Sequence, residues 1–388
     1  MPEDAIGEPK WHEVLAGLDL PLTQARGLPN YAYTSRAFAD LESARLFART
    51  WTAVASASDL ASPGDLLPFQ LGGRPFVLVR NRAGEIRGFH NVCSHRGLQL
   101  VDKPCQSQAV LRCPYHSWAY DLDGVLRATP DLGGPQKPRV EGMDPARWNL
   151  RPIRISCWHD IVYVDSSGEA PPFEDFIRPL TERFAAYDFS ALKRAARIDW
   201  EIEANWKLVL ENFVESYHLS FVHPQVDEYS RAEDHYDIID GPVCGSGNKT
   251  AITAEAALGP LPKFPNLPPA LARAGEFVAL FPNTLIFVMP DNMFIILVEP
   301  LSPTRVREQL LFYFIGEGAS DPTFEEIRRR QIEGWRHLNG QDAPMLERLQ
   351  IGRRSPAFSG GGFSPYWDRP IVHIQKMIAE AMKEPKHG

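Results

Sequence analysis

The 388-residue chain reads as an α+β protein of two domains: a small all-β domain, then a larger one in which helices accompany an antiparallel sheet. Three observations predict this. At roughly 100–200 residues per domain, the length calls for two domains. From about 51 to 160, short apolar runs alternate with turn signals. Farther on, the apolar runs Phe277–Phe281, Thr284–Met289 and Met293–Val298 follow one another across tight turns, and another lies at Gln309–Ile315. Consecutive strands joined this closely pair antiparallel.

The elements follow in chain order. Residues 36–50, RAFADLESARLFART, space apolar side chains at helical intervals and predict a short amphipathic helix. In the β segment, strands are expected around Phe76–Val79, Val110-Leu111, Trp118–Tyr120 and Ile161–Val164, with Ala83-Gly84 and Asp123-Gly124 as turns. The Pro- and Gly-rich stretch 129–151 reads as an extended connection, and Phe173–Tyr187 as a helix. Between Asn205 and about Ser220, the side chains Trp206, Val209, Leu210, Phe213 and Tyr217 fall near one helical face. Two more helices are expected, about 321–338 and 370–383.

Composition narrows the function classes. An apolar content of 44% is ordinary for a globular protein with a full core. The formal net charge of −8 offers no basic surface for nucleic acid. The five cysteines, at 93, 105, 113, 157 and 244, are odd in number in a long chain, which argues for a reducing compartment over a disulfide framework. Cys157 and Cys244 read as small buried hydrophobes. The start MPEDAIGEPKWHEV has no basic region and no apolar run, so no signal peptide is expected. The longest apolar stretch, Phe277 to Pro290, is interrupted by Pro282 and Asn283 and is too short to span a bilayer. A cytoplasmic protein is the expectation.

Two constellations carry chemistry. The first is Cys93-Ser94-His95 and Cys113-Pro114-Tyr115-His116, two short pairs separated by 17 residues. Two thiolates and two imidazoles suit a tetrahedral zinc or a two-iron cluster with cysteines on one iron and histidines on the other. Zinc fingers usually keep the cysteines together and the histidines together. Here each arm brings one of each, which favours the [2Fe–2S] reading. Cys93 and Cys113 would hold one iron, and His95 and His116 the other. Neutral imidazoles in place of thiolates make such a cluster easier to reduce. Gly97 would allow a tight turn beside it, and Ser117 would donate to a cluster sulfur.

The second constellation is Asn212-Phe213-Val214-Glu215-Ser216-Tyr217-His218 with His223. On a continuous helix His218 and His223 would lie about 140° apart. A helix ending near Leu219 would let the chain turn His223 back. Two imidazoles and one carboxylate make a facial triad with open positions, suited to ferrous iron. Asp342, in Gln341-Asp342-Ala343-Pro344, is the expected carboxylate. The alternatives are Glu347, Asp237 and Asp240, and Asp342 itself also reads as a helix cap ahead of Ala343-Pro344.

His90-Asn91-Val92-Cys93-Ser94-His95-Arg96-Gly97, Cys113–Trp118 and Asn212–His223 together closely resemble the Rieske non-haem iron oxygenases, in particular their alpha, or terminal oxygenase, subunits. The resemblance covers most of the chain. It implies a Rieske [2Fe–2S] domain over 48–158 and a helix-grip catalytic domain, built from 1–47 and 159–388, that holds a mononuclear Fe(II). It implies cluster ligands Cys93, His95, Cys113 and His116, and iron ligands His218, His223 and Asp342. It also implies a homotrimer, in which one subunit's cluster serves the next subunit's iron and Glu215 bridges His116 and His218. Asn212 resembles the family asparagine near the iron. Where many ring-hydroxylating members carry aspartate, the glutamate at 215 resembles members acting on choline, carnitine or betaine.

The expected activity is monooxygenation or oxidative demethylation of a small amine or betaine, using O₂. Hydroxylation or dihydroxylation of an aromatic acid is the alternative, and a pure Rieske electron carrier is an alternative of another class. Phe213, Phe281, Phe287, Phe294 and Trp367 are candidates for an aromatic cage around an ammonium group. Gly245-Ser246-Gly247 lacks the third glycine of a dinucleotide fingerprint. Electrons are therefore expected from a separate NAD(P)H-dependent reductase carrying flavin and an iron–sulfur centre.

Overall fold

The computed structural model describes residues 10–226, 230–250 and 261–383. His387 and the first nine residues of the N-terminal stretch lie outside this range. The chain divides into two compact units, Phe47–Phe173 and a larger one made of Met1–Leu46 with Glu174–Gly388. Among the described residues no helix is long and apolar enough to cross a membrane.

The smaller unit is all-β, with strands β1 (Thr52–Ser56), β2 (Leu66–Leu71), β3 (Arg74–Arg80), β4 (Ile86–His90), β5 (Leu111–Arg112), β6 (Ala119–Tyr120), β7 (Leu126–Ala128), β8 (Arg154–Trp158) and β9 (Ile161–Asp165). They form three antiparallel sheets, β1-β9-β8, β2-β3-β4 and β5-β6-β7. The β2–β3 hairpin turns on Gly72-Gly73, with φ of 59° and 70°. Two positive φ values in a two-residue loop match the twist of the flanking strands, and glycine adopts them at no steric cost. Phe76, Val77, Leu78 and Val79 of β3 are all 0% exposed, so alternate residues feed the cores on its two sides. Each large apolar side chain buried this way contributes about 1.5–3 kcal/mol.

Two expectations change here. Residues 159–173, grouped with the larger domain from sequence, lie in the smaller unit, because β9 is the central strand of its sheet. Residues 129–151 are also more than an extended link. They fold into turns and a 3₁₀ turn at Pro145–Trp148, whose Trp148 packs edge-on against Trp118 at 5.7 Å.

The larger unit is built on a seven-stranded antiparallel sheet. Its strands are β10 (Leu192–Ile202), β11 (His235–Asp240), β12 (Val243–Asn248), β13 (Gly275–Leu280), β14 (Thr284–Val288), β15 (Asn292–Ser302) and β16 (Arg305–Ile315), in the order β10-β16-β15-β14-β13-β12-β11. The four central strands are those the apolar runs predict. β10 and β12 lack that signal. β10, LKRAARIDWEI, carries charges along an edge, and β12 contains Gly245-Ser246-Gly247. A Cβ at Gly245 would meet the Phe277 carbonyl at 2.0 Å, and one at Gly247 the Tyr236 ring at 2.2 Å. These glycines permit close strand packing.

Helices span Phe173–Arg183, Trp206–Val214, Leu219–Val222, Glu325–Gly352 and Arg369–Met382. The long one runs well past the expected end at 338. Pro344 within it removes the hydrogen bond to the Gly340 carbonyl. Burial of Ala343, Leu346 and Gln350 along this stretch outweighs the defect.

Candidate metal centres

The two arms of the smaller unit make one turn twice. Cys93 N donates to Leu98 O at 2.8 Å and Gly97 N to Cys93 O at 2.9 Å; Cys113 N donates to Trp118 O at 2.8 Å and Ser117 N to Cys113 O at 3.0 Å. The residue four after each cysteine is left-handed, Gly97 at φ 74° and Ser117 at φ 56°. The arms differ in where the histidine falls, two residues after Cys93 and three after Cys113. Asn91 braces the first arm: its side-chain oxygen accepts from Leu100 N and Val101 N, and its amide donates to Val101 O.

The four expected ligands are brought together. Cys93 and Cys113 are both 2% exposed, and the His95 and His116 rings lie 4.6 Å apart. His95 also stacks parallel on Trp118 at 4.8 Å. Burial, with the charges of His116 and Arg96, holds its imidazole below the usual value, as a neutral ligand requires. The Nδ1 atoms of His95 and His116 are both buried without a hydrogen-bond partner. Leaving such atoms unsatisfied costs about 1–3 kcal/mol each, and a metal on the Nδ1 side would satisfy both. The residues present therefore fit a two-iron cluster. Sequence reasoning missed Tyr120. Its hydroxyl accepts from Ser94 N at 3.1 Å and lies 3.4 Å from Cys93 Sγ. Burial, reinforced by Cys93, pushes the phenol's pKa up; with Cys93 deprotonated as a metal ligand, the hydroxyl would be the donor of this pair.

In the larger unit, the helix Trp206–Val214 starts at Asn205, whose side chain caps Lys207 N. It ends earlier than the apolar pattern predicts. Glu215 is extended, and its carboxylate accepts from the backbone N–H groups of Tyr217 and His218. This acts as an N-cap for the next turn. Leu219–Val222 then forms one helical turn, and His223 N closes on Leu219 O at 2.8 Å. That break and turn carry His223 round to His218.

Asp342 arrives from the long helix. The ligand atoms of His218, His223 and Asp342 all lie within 4.8 Å of one another. Asp342 Oδ1 is 3.0 Å from His223 Nε2 and 3.7 Å from His218 Nε2, yet it is buried and takes no well-aligned hydrogen bond. Each imidazole is anchored through its other nitrogen: His218 Nδ1 to Glu215 Oε1 at 2.6 Å, and His223 Nδ1 to Gln341 Oε1 at 2.9 Å. Gln225 Nε2 also donates to Gln341 Oε1, at 2.8 Å. Such partners orient ligand rings. Burial pulls the His223 imidazole down, the bond and charge of Asp342 together with the Gln341 bond push it up, and the net shift is upward. This donor set fits a divalent metal with open positions.

Other expectations are corrected. Asp342 sits inside a continuous helix, so it caps nothing. Glu347 accepts from Glu203 N, Asp237 pairs with Arg369, and neither joins the site; nor does Asp240. Asn212 lies one turn before Glu215 and makes no side-chain hydrogen bond among the described residues. Gln341 was missed, since adjacency to Asp342 was its one sequence signal. Cys157 is exposed, whereas Cys244 is buried.

The proposed cage does not form from the five rings named. Phe213, Phe287 and Phe294 join Phe277 and Trp335 in a packed cluster, with centroids 4.1–6.4 Å apart. Trp367 stacks on Tyr217 instead, at 5.8 Å, and Phe281 has no ring contact among the described residues. Tyr33, Phe38 and Trp206 do surround an ammonium, but it is Lys207 Nζ, at 5.0–5.2 Å and paired with Glu42 at 2.6 Å.

Comparison with known proteins agrees with both centres. The Rieske [2Fe-2S] domain profile matches residues 50–140, and the ring hydroxylating alpha subunit (catalytic domain) profile matches 189–384. The glycine betaine monooxygenase oxygenase subunit of Chromohalobacter salexigens is 27% identical over 440 residues, covering 98% of this chain and 95% of that protein. The carnitine monooxygenase oxygenase subunit of Acinetobacter pittii is 27% identical over 378 residues, covering 92% and 94%. Among solved structures, a quaternary ammonium Rieske monooxygenase superposes with TM-score 0.80 at 24% identity, covering 99% of each chain. Naphthalene 1,2-dioxygenase from Rhodococcus gives TM-score 0.73 at 21% identity, covering 96% of each. The catalytic-domain profile alone spans just over half of the sequence, and the chain belongs to the ring-hydroxylating alpha subunits, oxygenases that join a Rieske [2Fe–2S] domain to a non-haem iron catalytic domain.

Proposed function

We propose that this chain is the terminal oxygenase that places one atom of O₂ on a C–H bond of a small quaternary amine or betaine, with demethylation as one outcome. Two electrons and two protons convert the second oxygen atom to water. The observation that carries the reading is the convergence of His218 Nε2 and His223 Nε2 on Asp342. A Rieske electron carrier has no use for such a triad. The names of the relatives and the glutamate at 215 support the substrate class.

When bound, the cluster supplies single electrons and the mononuclear iron supplies the place where O₂ and substrate meet. The chain's own residues set the conditions. Cys93, His95, Cys113 and His116 hold the cluster, and the Tyr120 hydroxyl adds a hydrogen bond to one thiolate. His218, His223 and Asp342 hold the iron, with Glu215 and Gln341 fixing the imidazoles. Asn212, one turn before Glu215, makes no side-chain hydrogen bond among the described residues and so has its amide available.

Electrons come from a separate reductase, for which an NAD(P)H-dependent flavin and iron–sulfur protein is the fitting class. The subunits act as a homotrimer in the cytoplasm, and Glu215 links His218 to His116 of the next copy. One Glu215 oxygen holds His218 Nδ1 and the other caps the turn. A carboxylate has about four acceptor positions; Tyr217 N, His218 N and His218 Nδ1 take three, so room remains for a fourth donor.

A substrate panel with a surrogate reductase tests this reading. It contains glycine betaine, carnitine, choline and simple aromatic acids, with product and peroxide both measured. Coupled product from a quaternary amine is expected. Product from an aromatic acid alone would favour ring hydroxylation. Metal analysis is the cheaper control: three irons per chain for the oxygenase, two for a carrier.

A further inference from the structure

The sheet face carrying Phe287, Phe294 and Phe312 also carries a carboxylic acid. Glu308 lies on β16 four residues before Phe312, so strand alternation puts the two on one face. The long helix contributes to the same region. Its Trp335 packs on Phe287 and Phe294 at 4.7 Å, its Asn339 Nδ2 donates to Glu308 Oε2 at 2.8 Å, and its Asp342 belongs to the metal triad. Positions 335, 339 and 342 share one helix face. An aromatic wall, an acid and the metal site thus follow one another along it.

Glu308 is 2% exposed. Buried carboxylates are ordinarily paired, and others in this unit are: Glu276 takes both arms of Arg183 at 2.7 Å, and Glu42 takes Lys207 at 2.6 Å. Among the described residues Glu308 has no cationic partner, and the Asn339 amide makes its one side-chain hydrogen bond. Burial pushes its carboxyl up, the Asn339 bond pulls it down and the charge of Asp342 pushes it up again, to about 7. A cation arriving from outside would relieve this imbalance. A quaternary ammonium brings charge without an N–H, so charge and ring faces are what can hold it.

We propose that Glu308 is a specificity-determining residue, whose buried carboxylate is the counter-charge that admits a cationic nitrogen beside the metal triad. This rests on the quaternary-amine reading above. It assigns the electrostatic half of recognition to an acid on the sheet, with Asn339 as its positioning residue.

The test compares choline with its neutral isostere 3,3-dimethylbutan-1-ol, by calorimetric binding to the iron-loaded enzyme and by product formation. Wild type is expected to favour choline. In Glu308→Gln, which keeps an acceptor for Asn339, choline binding should weaken on the order of a hundredfold while the isostere binds unchanged or tighter. Glu308→Asp keeps the charge and should keep the preference, which maintains the test if the Gln variant does not fold. If wild type prefers choline and the charge-free variant still does, the role of Glu308 is overturned and the substrate reading stands. Equal loss of both probes in the Gln and Asp variants would make Glu308 a folding residue and also overturn its role. If wild type takes no quaternary amine at all, the substrate reading falls and this role falls with it.

Discussion

The two metal centres are built on opposite plans. The cluster arms make the same five-residue turn twice within one small β unit, and each turn brings its own cysteine and histidine. The mononuclear centre gathers His218 and His223 from a broken helix and Asp342 from another helix more than a hundred residues later. Its imidazoles are oriented by Glu215 and Gln341, one from each of those segments. A locally encoded site needs the chain only to turn correctly. A site assembled across elements needs the whole sheet and both helices to form first.

The sharpest way to break this contrast is Asp342→Asn. We expect iron to fall from three to two per chain and product formation to drop by about a thousandfold or more, with the cluster's visible and EPR spectra unchanged. A parallel loss of the cluster signal would mean that the two centres do not form independently. Glu215→Gln comes next. The amide keeps one acceptor but loses the charge, so both metals should stay bound while product formation slows by about a hundredfold. Normal turnover at full iron occupancy would remove Glu215 from the electron route.

Gln341→Leu separates orientation from ligation. It deprives His223 Nδ1 of its partner, and losses of about 10–100-fold in metal affinity are typical of such changes. Iron titration of the metal-free enzyme would read this directly; unchanged affinity would leave His223 held by packing alone. The smallest effect is expected at Tyr120→Phe, on the locally encoded side. Losing the hydroxyl from Cys93 Sγ should lower the cluster's reduction potential and cost about 1 kcal/mol of stability. A potential unchanged in redox titration would show that the hydroxyl serves Ser94 N instead.

Legibility followed the same division. The convergence of Cys93, His95, Cys113 and His116 was readable because each pair is spaced within a single turn. The four central strands were readable from apolar runs, whereas β10 and β12 were not. A charged edge strand and a glycine-bearing buried strand lack that periodicity, and tertiary pairing decides them. The long helix runs past the expected end at 338, through Asn339-Gly340 and Pro344, residues that weaken an isolated helix; burial of Ala343, Leu346 and Gln350 carries it through. The aromatic cage failed for a related reason. Composition supplies rings, but only packing decides whether they surround a cation or one another.

By itself, the sequence determined which donor types are on offer: two cysteines and two histidines in paired arms, and two histidines with an acid farther on. Ligand identity and local turns depend on neighbours along the chain, so they can be read there. The tertiary structure decided what depends on neighbours in space. It brought Asp342, and not Glu347, Asp237 or Asp240, to His218 and His223, gave each of these histidines its anchoring partner, packed the rings on one another, and set Glu308, an acid with no cationic partner among the described residues, against Asn339 on the helix that carries Asp342. Hydrogen-bond reach and burial are distances through the fold, and no spacing in the sequence encodes them.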